Sequence, residues 1–391
     1  AAAGRMLPSL ARLRWEGFEV NVAAVRGVDL DERDDDEDEY EDESPPFLGG
    51  PAETALLSCI EGEGEPPLEL LLVAVACAGS GEVRGIPVQM MRDDSVSELD
   101  LEESNIGVEG GMLLAYLMPV MGGLTSLNLS SNDIGGYWDD IREEIVSTPE
   151  GPKAIADALL VNGGLTSIDV RQNSIAGDGA VQLAVAVLGN LNINFFNEIP
   201  IKEMRANSLT ELDLKGKDVG VEGGMVVAGL IPVMGGLTKI SLANNELGEE
   251  GTKAICEALK QNKQNKILKE LNLSGFMGTN IGGAAGAMHV ADMLGVNGAL
   301  TALDLSSNCL KDEGVSAVCA AIQSNKETKL ASLNFYYNDI GTVGANAVAA
   351  MVAVTGALTE CNLQYNPCIG KKGEALIRKA MQGRAGFKLR I

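Results

Sequence analysis

The chain has 391 residues, a formal net charge of −25 from 55 acidic and 30 basic residues, and a single histidine. Hydrophobic residues make up 46% of it but aromatic residues only 4%, so its core must be built from aliphatic side chains, which suits thin, regularly stacked layers. The charge argues against a nucleic-acid partner, because affinity for nucleic acid comes largely from Lys and Arg that neutralise phosphates.

Residues 1–28 are interpreted as an N-terminal segment. They lack an initiator Met and carry Arg5, Arg12 and Arg14 before any acid. Two interpretations stay open: a truncated or processed N-terminus, which is the simpler one, and the remnant of an organelle-targeting peptide. Residues 29–50 follow as an acidic run, in which twelve Asp and Glu between 29 and 44 accompany only Arg33. Such a block repels itself and is expected to be disordered, with a docking tail for a basic partner as the alternative.

Residues 51–85 are predicted to form N-terminal cap helices. Their longest apolar stretch, LELLLVAVACA at 68–78, is about half of the ~20 residues that a membrane-spanning helix needs. No membrane span is therefore expected, and the stretch is interpreted as a helix at the start of the array that follows.

Residues 86–382 contain nine copies of an L-x-x-L-x-L unit, and six of the eight intervals between their starts are 28 to 32 residues long. The starts are Val96, Leu124, Leu165, Leu209, Leu237, Leu268, Leu300, Leu330 and Leu358. Each copy opens with alternating apolar residues, as in a short strand, and continues with one apolar helical face, as in EEGTKAICEALKQN at 249–262. The pattern predicts a strand and a helix in every repeat.

Identical strand–helix crossovers must place the strands in parallel. Adjacent strands are ~4.8 Å apart whereas adjacent helices are about 8–10 Å apart, so the strand side is compressed and the helix side spread. The predicted fold class is therefore α/β: a solenoid, or horseshoe, with parallel strands on its concave face and helices on its convex face. Residues 383–391, GRAGFKLRI, are predicted to add a C-terminal capping strand.

This pattern, with Asn following the strand, resembles the ribonuclease-inhibitor-like class of leucine-rich repeats. The resemblance implies that the Asn side chain satisfies backbone groups in the turn after the strand. The matching positions are Asn132, Asn173, Asn245, Asn308, Asn338 and Asn366. The copies that start at Val96, Leu209 and Leu268 carry Ser104, Lys217 and Phe276 there instead, so their turns are expected to be looser or differently bonded.

A duplication and an insertion modify the regular series of repeats. The block at 86–125 returns at 199–238, displaced by 113 residues, which indicates a duplication of several repeats. The interval from Leu124 to Leu165 contains an insertion at 136–151, predicted to be a loop and helix extension.

Catalytic and metal-binding patterns are sparse. His289, the one histidine, lies among apolar helical positions, where an edge or partly buried imidazole is expected rather than a base. The seven cysteines form no C-x-x-C pair and are interpreted as reduced core residues. Neither a phosphate-binding loop nor a Ca²⁺ loop is present in the sequence. No enzyme activity, cofactor or metal is therefore predicted.

The side chains that alternate with the strand leucines should line the concave face, where nine acids accompany three bases. Such a groove concentrates negative potential and favours a protein partner with a basic surface. The predicted partner-binding residues are Glu98, Asp100, Glu102, Asp169, Arg171, Glu211, Asp213, Lys215, Lys239, Asp304, Tyr336 and Gln364. Many of these residues are also of the types that are common on the solvent-exposed strand face of such repeats. The stronger candidates are therefore the residues that depart from those types: Arg171, Lys215, Lys239 and Tyr336.

The function predicted is a non-catalytic protein-interaction scaffold, because the resembling family mostly binds proteins through the concave face and its rims. Two alternatives remain. One is the regulation of a small GTPase, by similarity to the Ran GTPase-activating protein, although its acidic segment follows the repeats and no residue here matches its active loop. The other is a structural subunit of a large ciliary or organellar complex. The expected location is intracellular, with the cytoplasm favoured and an organelle as the alternative; a monomer or a complex subunit is expected.

Overall fold

A computed structural model describes residues 12–15, 18–30, 50–62, 67–139, 144–261, 267–276 and 280–391. The chain divides into two compact units, residues 1–196 (unit 1) and residues 197–391 (unit 2), and each is described by itself. The acidic run predicted at 29–44 lies outside the described residues apart from its first two positions. None of the helices in the described ranges is long and apolar enough to cross a bilayer.

Unit 1 combines three small sheets with a layer of helices. Its strands are β1 Leu13–Trp15, β2 Phe18–Val20, β3 Ile60–Glu61, β4 Glu98–Asp100, β5 Ser126–Asn128, β6 Gly136–Asp139, β7 Glu144–Ser147, β8 Ser167–Asp169 and β9 Phe195–Phe196. Its helices are α1 Val22–Val25, α2 Gly50–Leu57, α3 Leu68–Cys77, α4 Val88–Arg92, α5 Gly107–Leu117, α6 Glu150–Val161 and α7 Gly177–Gly189. Strands β1 to β3 are antiparallel, whereas β4, β5, β8 and β9 are parallel and adjacent in that order.

Unit 2 continues the strand–helix alternation. Its strands are β10 Ile199–Pro200, β11 Glu211–Asp213, β12 Lys239–Ser241, β13 Glu270–Asn272, β14 Ala302–Asp304, β15 Ser332–Asn334, β16 Glu360–Asn362 and β17 Lys388–Arg390. Its helices are α8 Ile201–Arg205, α9 Gly220–Leu230, α10 Gly248–Gln261, α11 Gly283–Leu294, α12 Lys311–Ser324, α13 Thr342–Val354 and α14 Gly370–Ala380. Strands β11 to β17 form one parallel sheet in chain order.

The sheet of unit 2 keeps strict register, so equivalent residues of successive repeats pair with each other. Leu212 pairs with Ile240, and the same row continues through Leu271, Leu303, Leu333, Cys361 and Leu389. The row members from Leu212 to Cys361 are buried. A shift of one residue would turn this apolar row to solvent, so the burial of the leucines fixes the register. The α/β solenoid architecture with a layer of parallel strands and a layer of helices is thereby confirmed for each set of repeats.

The turn asparagines form a buried ladder that joins successive repeats. In unit 2, Asn245 Nδ2 donates to the carbonyl oxygens of Leu214 and Ala243 at 2.8 and 3.0 Å. Its Oδ1 accepts from the N–H groups of Lys217 and Val219 at 3.1 and 3.2 Å. Asn132, Asn173, Asn308, Asn338 and Asn366 are buried as well and donate to strand carbonyls of the preceding repeat in the same way. Each asparagine thus satisfies backbone groups that the end of a strand would otherwise leave unpaired.

The repeat that starts at Leu268 contains a turn asparagine that the sequence pattern missed. Asn280 is buried, donates to the carbonyl oxygens of Leu242 and Leu273 at 2.9 and 3.0 Å, and accepts from the N–H of Asn245. It stands four residues beyond Phe276, where the repeat spacing places the Asn. The intervening residues displace the asparagine along the chain while the ladder of hydrogen bonds is kept.

A second set of buried asparagines ends the helices. Asn162 follows α6 and donates to the carbonyl oxygens of Met118 and Met121, and its Oδ1 accepts from the N–H of Leu165 at 2.8 Å. Asn190 after α7 and Asn325 after α12 make equivalent bonds to the preceding helix end. These side chains satisfy the carbonyl groups that helix ends leave unpaired.

The insertion at 136–151 differs from its prediction. Residues 136–139 and 144–147 form the antiparallel hairpin β6–β7, in which Tyr137 pairs with Val146, rather than a loop and helix extension. The helix α6 begins only at Glu150. The residue types explain the difference, since the aromatic and β-branched residues of this stretch fit a strand better than a helix.

Candidate functional site

The strand face of unit 2 carries side chains from β12 to β17 that point away from the buried leucine row. Because side chains alternate along a strand, the residues on either side of each buried leucine reach this face together. With strict register between strands, they stand in rows across the sheet. Adjacent strands lie closer together than adjacent helices, so the strand side of the repeats is the narrower one. The rows of side chains therefore line a concave surface.

The concave surface contains a groove of about 320 Å³, and we call it the strand-face groove. The residues lining it are Lys239, Ile240, Glu270, Leu271, Asn272, Ala302, Leu303, Asp304, Ser332, Leu333, Asn334, Glu360, Asn362 and Arg390. Small side chains at Ala302 and Ser332 form the middle of one row, whereas Glu270 and Glu360 stand on either side of them. The groove is therefore open at its centre and bordered by carboxylates.

The charges of the groove are arranged in three groups. At one end Lys239 Nζ lies 3.6 Å from Glu270 Oε2, and at the other a guanidinium nitrogen of Arg390 lies 3.1 Å from Glu360 Oε1. In the middle, Asp304 accepts from the Ser306 hydroxyl at 2.6 Å and from Asn334 Nδ2 at 3.0 Å. The two outer acids are paired with cations, whereas the central acid accepts hydrogen bonds from the neutral side chains of Ser306 and Asn334.

The predicted partner-binding residues of unit 2 occupy different parts of this face. Lys239 and Asp304 line the groove. Glu211, Asp213 and Lys215 lie on or just after β11, the first strand of the sheet, and are exposed. Tyr336 and Gln364 follow β15 and β16 by two residues, at the carboxyl ends of the strands.

The remaining predicted residues belong to the strand face of unit 1. Glu98, Asp100 and Glu102 are exposed on and after β4, and Asn128 Nδ2 donates to Asp100 Oδ1 at 2.9 Å. Arg171 pairs with Asp169 two residues earlier in the chain, through a guanidinium nitrogen 2.6 Å from Asp169 Oδ2. The sequence favoured Arg171 because it differs from the residue types usual at this repeat position. Its local pairing with Asp169 makes it a weaker candidate for partner binding.

Three residues that contribute most of the charge of the groove are not among the predicted partner-binding residues: Glu270, Glu360 and Arg390. The two glutamates are the first residues of β13 and β16. Arg390 belongs to the terminal strand β17 and pairs in register with Asn362, so the spacing of Leu389 from the ninth repeat was the signal that could have placed it. Tyr337 and Tyr365 were also missed, since they stand outside the three strand-face positions of their repeats.

Comparison with known proteins shows which repeats the repeats of this chain resemble. The model of a family described as "Leucine Rich repeat" matches residues 124–136 and 299–319. Ribonuclease inhibitor from Sus scrofa is 33% identical over 140 residues, which cover 35% of this chain and 28% of the relative. Ribonuclease inhibitor from Mus musculus is 29% identical over 159 residues, 40% of this chain and 32% of the relative. The repeats of this chain are leucine-rich repeats, similar to those of ribonuclease inhibitor.

The leucine-rich repeats also resemble part of the "NACHT, LRR and PYD domains-containing protein 13" from Homo sapiens, at 30% identity over 37% of this chain and 13% of the relative. The chain thus spans less than a third of the length of these curated relatives. Among solved structures, the leucine-rich repeat-containing protein LegL7 from Legionella pneumophila is similar at 16% identity over 82% of this chain and 88% of that chain, with a TM-score of 0.29. That score is too low to add to the fold described above.

Proposed function

We propose that this leucine-rich repeat chain is a non-catalytic scaffold that binds a protein partner with a basic surface in the strand-face groove of unit 2. The observation that carries the proposal is the groove itself, a concave surface of about 320 Å³ built from the outward side chains of six successive strands. Concave surfaces of stacked repeats are extended binding surfaces, because each repeat adds one row of side chains to a continuous face.

The charge of the groove favours a basic partner. Its carboxylates at Glu270, Asp304 and Glu360 exceed its cations at Lys239 and Arg390, and the whole chain carries a formal charge of −25. A partner cation above Asp304 would add a charged contact in a recess where water is partly excluded. The long-range charge of the chain would speed the approach of such a partner at low salt.

The proposal of a binding role rather than a catalytic one rests on where the reactive side chains lie. His289 belongs to α11 in the helix layer, with Nε2 3.3 Å from Glu249 Oε1 of the preceding helix α10. The two are therefore on helices, not on the strands that form the groove. We propose an intracellular location for the same chain, because its seven cysteines, all within the described ranges, are free thiols.

The test compares two triple variants that remove the same number of charges. Glu270→Gln, Asp304→Asn and Glu360→Gln neutralise the groove, and Glu98→Gln, Asp100→Asn and Glu102→Gln neutralise three acids of unit 1. Proteins captured from extract by the full chain are identified by cross-linking, and the affinity of each purified partner is then measured for all three chains. For a partner cross-linked to β12–β17, we expect the affinity of the groove variant to fall by at least about tenfold, since charged contacts contribute about 2 kcal/mol or more when buried. The unit 1 variant should bind the same partner with the affinity of the wild type.

Equal weakening by both triple variants would contradict the proposal, because it would show attraction to the net charge rather than to the groove. The same capture experiment also tests the two alternative functions, regulator of a small GTPase and structural subunit of a large complex, which stay predictions. A small GTPase whose hydrolysis accelerates in the presence of the chain would favour the regulator. A stoichiometric complex that survives high salt would favour the structural subunit.

A further inference from the structure

Three tyrosines cluster where β15 and β16 end, and we call Tyr336, Tyr337 and Tyr365 the tyrosine patch. The ring centroid of Tyr336 lies 4.8 Å from that of Tyr365 and 6.3 Å from that of Tyr337. Tyr337 and Tyr365 are 49% and 66% exposed, so the patch presents aromatic surface to solvent. In a chain with 4% aromatic residues, three such side chains in contact form an unusual surface.

The backbone at two of these positions is unfavourable for tyrosine. Tyr337 has a φ of 51° and Tyr365 a φ of 60°, both in the left-handed region, which bulky side chains rarely occupy. The position is the one just before the turn asparagine, and it is left-handed in other repeats too. Those repeats fill it with Ser131, Gln172, Asn244 and Ser307.

The comparison between repeats shows that the fold does not require an aromatic residue there. A serine or asparagine makes the same turn with less strain, and asparagine in particular tolerates left-handed backbone. Residues with a conformational cost persist where another interaction outweighs it, and they cluster at functional sites. The two tyrosines therefore point to a binding role that outweighs their conformational cost.

The patch adjoins the strand-face groove, because Asn334, which lines the groove, stands two residues before Tyr336. Tyr336 donates its backbone N–H to Asn334 Oδ1 at 3.1 Å, and Asn334 Nδ2 donates to Asp304 Oδ2 at 3.0 Å. The side chain of Asn334 thus joins the backbone of Tyr336 to Asp304, the central acid of the groove. The patch stands just beyond the carboxyl ends of β15 and β16, whose residues Asn334 and Asn362 line the groove.

We propose that the tyrosine patch binds an arginine side chain of the protein partner, whose guanidinium stacks on the exposed rings. The negative faces of the tyrosine rings attract a cation, and the planar guanidinium stacks on a ring better than a lysine ammonium does. The acids of the adjoining groove complement the same charge. This inference rests on the proposed function, since it names the side chain by which the basic partner is recognised beside the groove.

The experiment uses the full chain and three fluorescein-labelled Gly/Ser nonapeptides that carry three Arg, three Lys or three Gln, with binding followed by fluorescence anisotropy. The test variant is Tyr337→Asn with Tyr365→Asn, which keeps a residue suited to left-handed backbone. A second double variant, Tyr337→Phe with Tyr365→Phe, keeps the rings and removes the hydroxyls. The matched control is Tyr137→Asn, since Tyr137 lies on the β6–β7 hairpin and is also 49% exposed.

We expect the Arg peptide to bind best, the Lys peptide about three- to tenfold more weakly, and the Gln peptide not to bind measurably. The Asn double variant should lose about tenfold in affinity for the Arg peptide and little for the Lys peptide, while the Phe double variant and Tyr137→Asn stay within about twofold of the wild type. The urea midpoint of the Asn double variant should be equal to or above that of the wild type, which separates lost binding from lost folding.

Equal binding of the Arg peptide by the wild type and the Asn double variant would overturn the inference. So would a loss of affinity that is the same for the Arg and Lys peptides. The groove triple variant keeps the two proposals apart: if it weakens both basic peptides while the Asn double variant weakens neither, the groove proposal stands and the patch proposal fails. If only the tyrosine variants matter, the patch is a binding site and the groove is not.

Discussion

At the scale of single residues, the protein is held together by buried polar side chains that connect one repeat to the next. The turn asparagines satisfy strand-end groups, and Asn162, Asn190 and Asn325 satisfy helix ends. Each replaces water at a place where the stacked layers exclude it, so removing one leaves several buried backbone groups unpaired. Most polar residues of the strand face, in contrast, keep access to solvent, and Ser130 and Ser241 are buried exceptions.

Replacement of Asn245 by Ala should therefore destabilise the chain strongly. The change removes two donated and two accepted hydrogen bonds at a fully buried site, and we expect the free energy of unfolding to fall by about 3 kcal/mol. Urea denaturation measures it. Asn362→Ala is the control, since the side chain of this half-buried asparagine of β16 accepts from the nearby Gln364 N–H at 3.2 Å, and its removal should cost about 0.5 kcal/mol or less. Similar losses for both variants would contradict the role of the ladder.

The buried cysteines predict a decrease in stability at high pH. Burial raises the pKa of Cys256 from its ordinary value of 9.0 to about 12, and burial likewise raises the pKa of Cys361 to about 12. The folded chain holds these protons more tightly than the unfolded chain, so their contribution is fully present below pH 9 and is lost as the pH rises from about 9 to 12. Urea midpoints measured from pH 8 to 10.5 should fall, and less steeply in Cys256→Ala with Cys361→Ala. Cys368→Ala, which removes an exposed thiol, should leave the slope as in the wild type, and an unchanged slope in the double variant would refute the assignment.

At the scale of elements, neighbouring helices supply each other's caps. Helix α13 begins after Gly341, which has no side chain to cap it. Asp312 in the first turn of α12 fills this role, since its Oδ1 accepts from the N–H groups of Gly341 and Gly344 at 2.7 and 2.8 Å. Close packing accompanies the cap, because a Cβ added to Gly314 would come within 2.9 Å of the Ala287 side chain on α11. The glycines of the repeat thus serve helix packing as well as turns.

Replacement of Asp312 by Ala should cost about 1 kcal/mol, the usual value for the loss of a helix cap. Hydrogen exchange should locate the effect, with faster exchange in the first turn of α13 than elsewhere in unit 2. Glu313→Ala is the matched control, because Glu313 is an exposed acid of the same helical turn. If both variants lose the same stability, the effect comes from the helix dipole of α12 and not from the cap of α13.

At the scale of the whole molecule, charge opposes compactness. A formal charge of −25 is spread over a chain with a sequence pI of about 4.4, so like charges repel one another at neutral pH. Only a few of these acids lie in the ion pairs described above. A basic partner would relieve part of the repulsion, which links the stability of the chain to the binding that we propose.

Salt should therefore stabilise the free chain. Raising NaCl from 10 to 200 mM shortens the Debye length from about 30 Å to less than 10 Å and screens the repulsion. We expect the urea midpoint at pH 7.5 to rise over this range, and KCl at equal ionic strength to give the same shift. A midpoint that falls with salt would mean that attractive ion pairs outweigh the repulsion between acids.

Several parts of the fold were accessible from the sequence because local pattern decides them. The nine leucine spacings predicted the strands, and the 3.6-residue periodicity predicted the helices that follow. The hairpin β6–β7 was missed because the insertion occurs once and has no second copy to compare with. Asn280 was missed because extra residues moved it four places along the chain, and only its hydrogen bonds show that it belongs to the ladder.

The spacing of residues along the chain is enough to predict the repeat, its α/β class and the row of leucines that fixes the register, because each of these depends on local pattern. Which side chains act together, in contrast, depends on how the repeats stack. Lys239 and Glu270 are 31 positions apart in the chain, yet their charged atoms are 3.6 Å apart. Tyr336 and Tyr365 are 29 positions apart, yet their ring centroids are 4.8 Å apart. The physical reason is that stacking, not sequence neighbourhood, brings equivalent positions of different repeats within a few ångströms of one another.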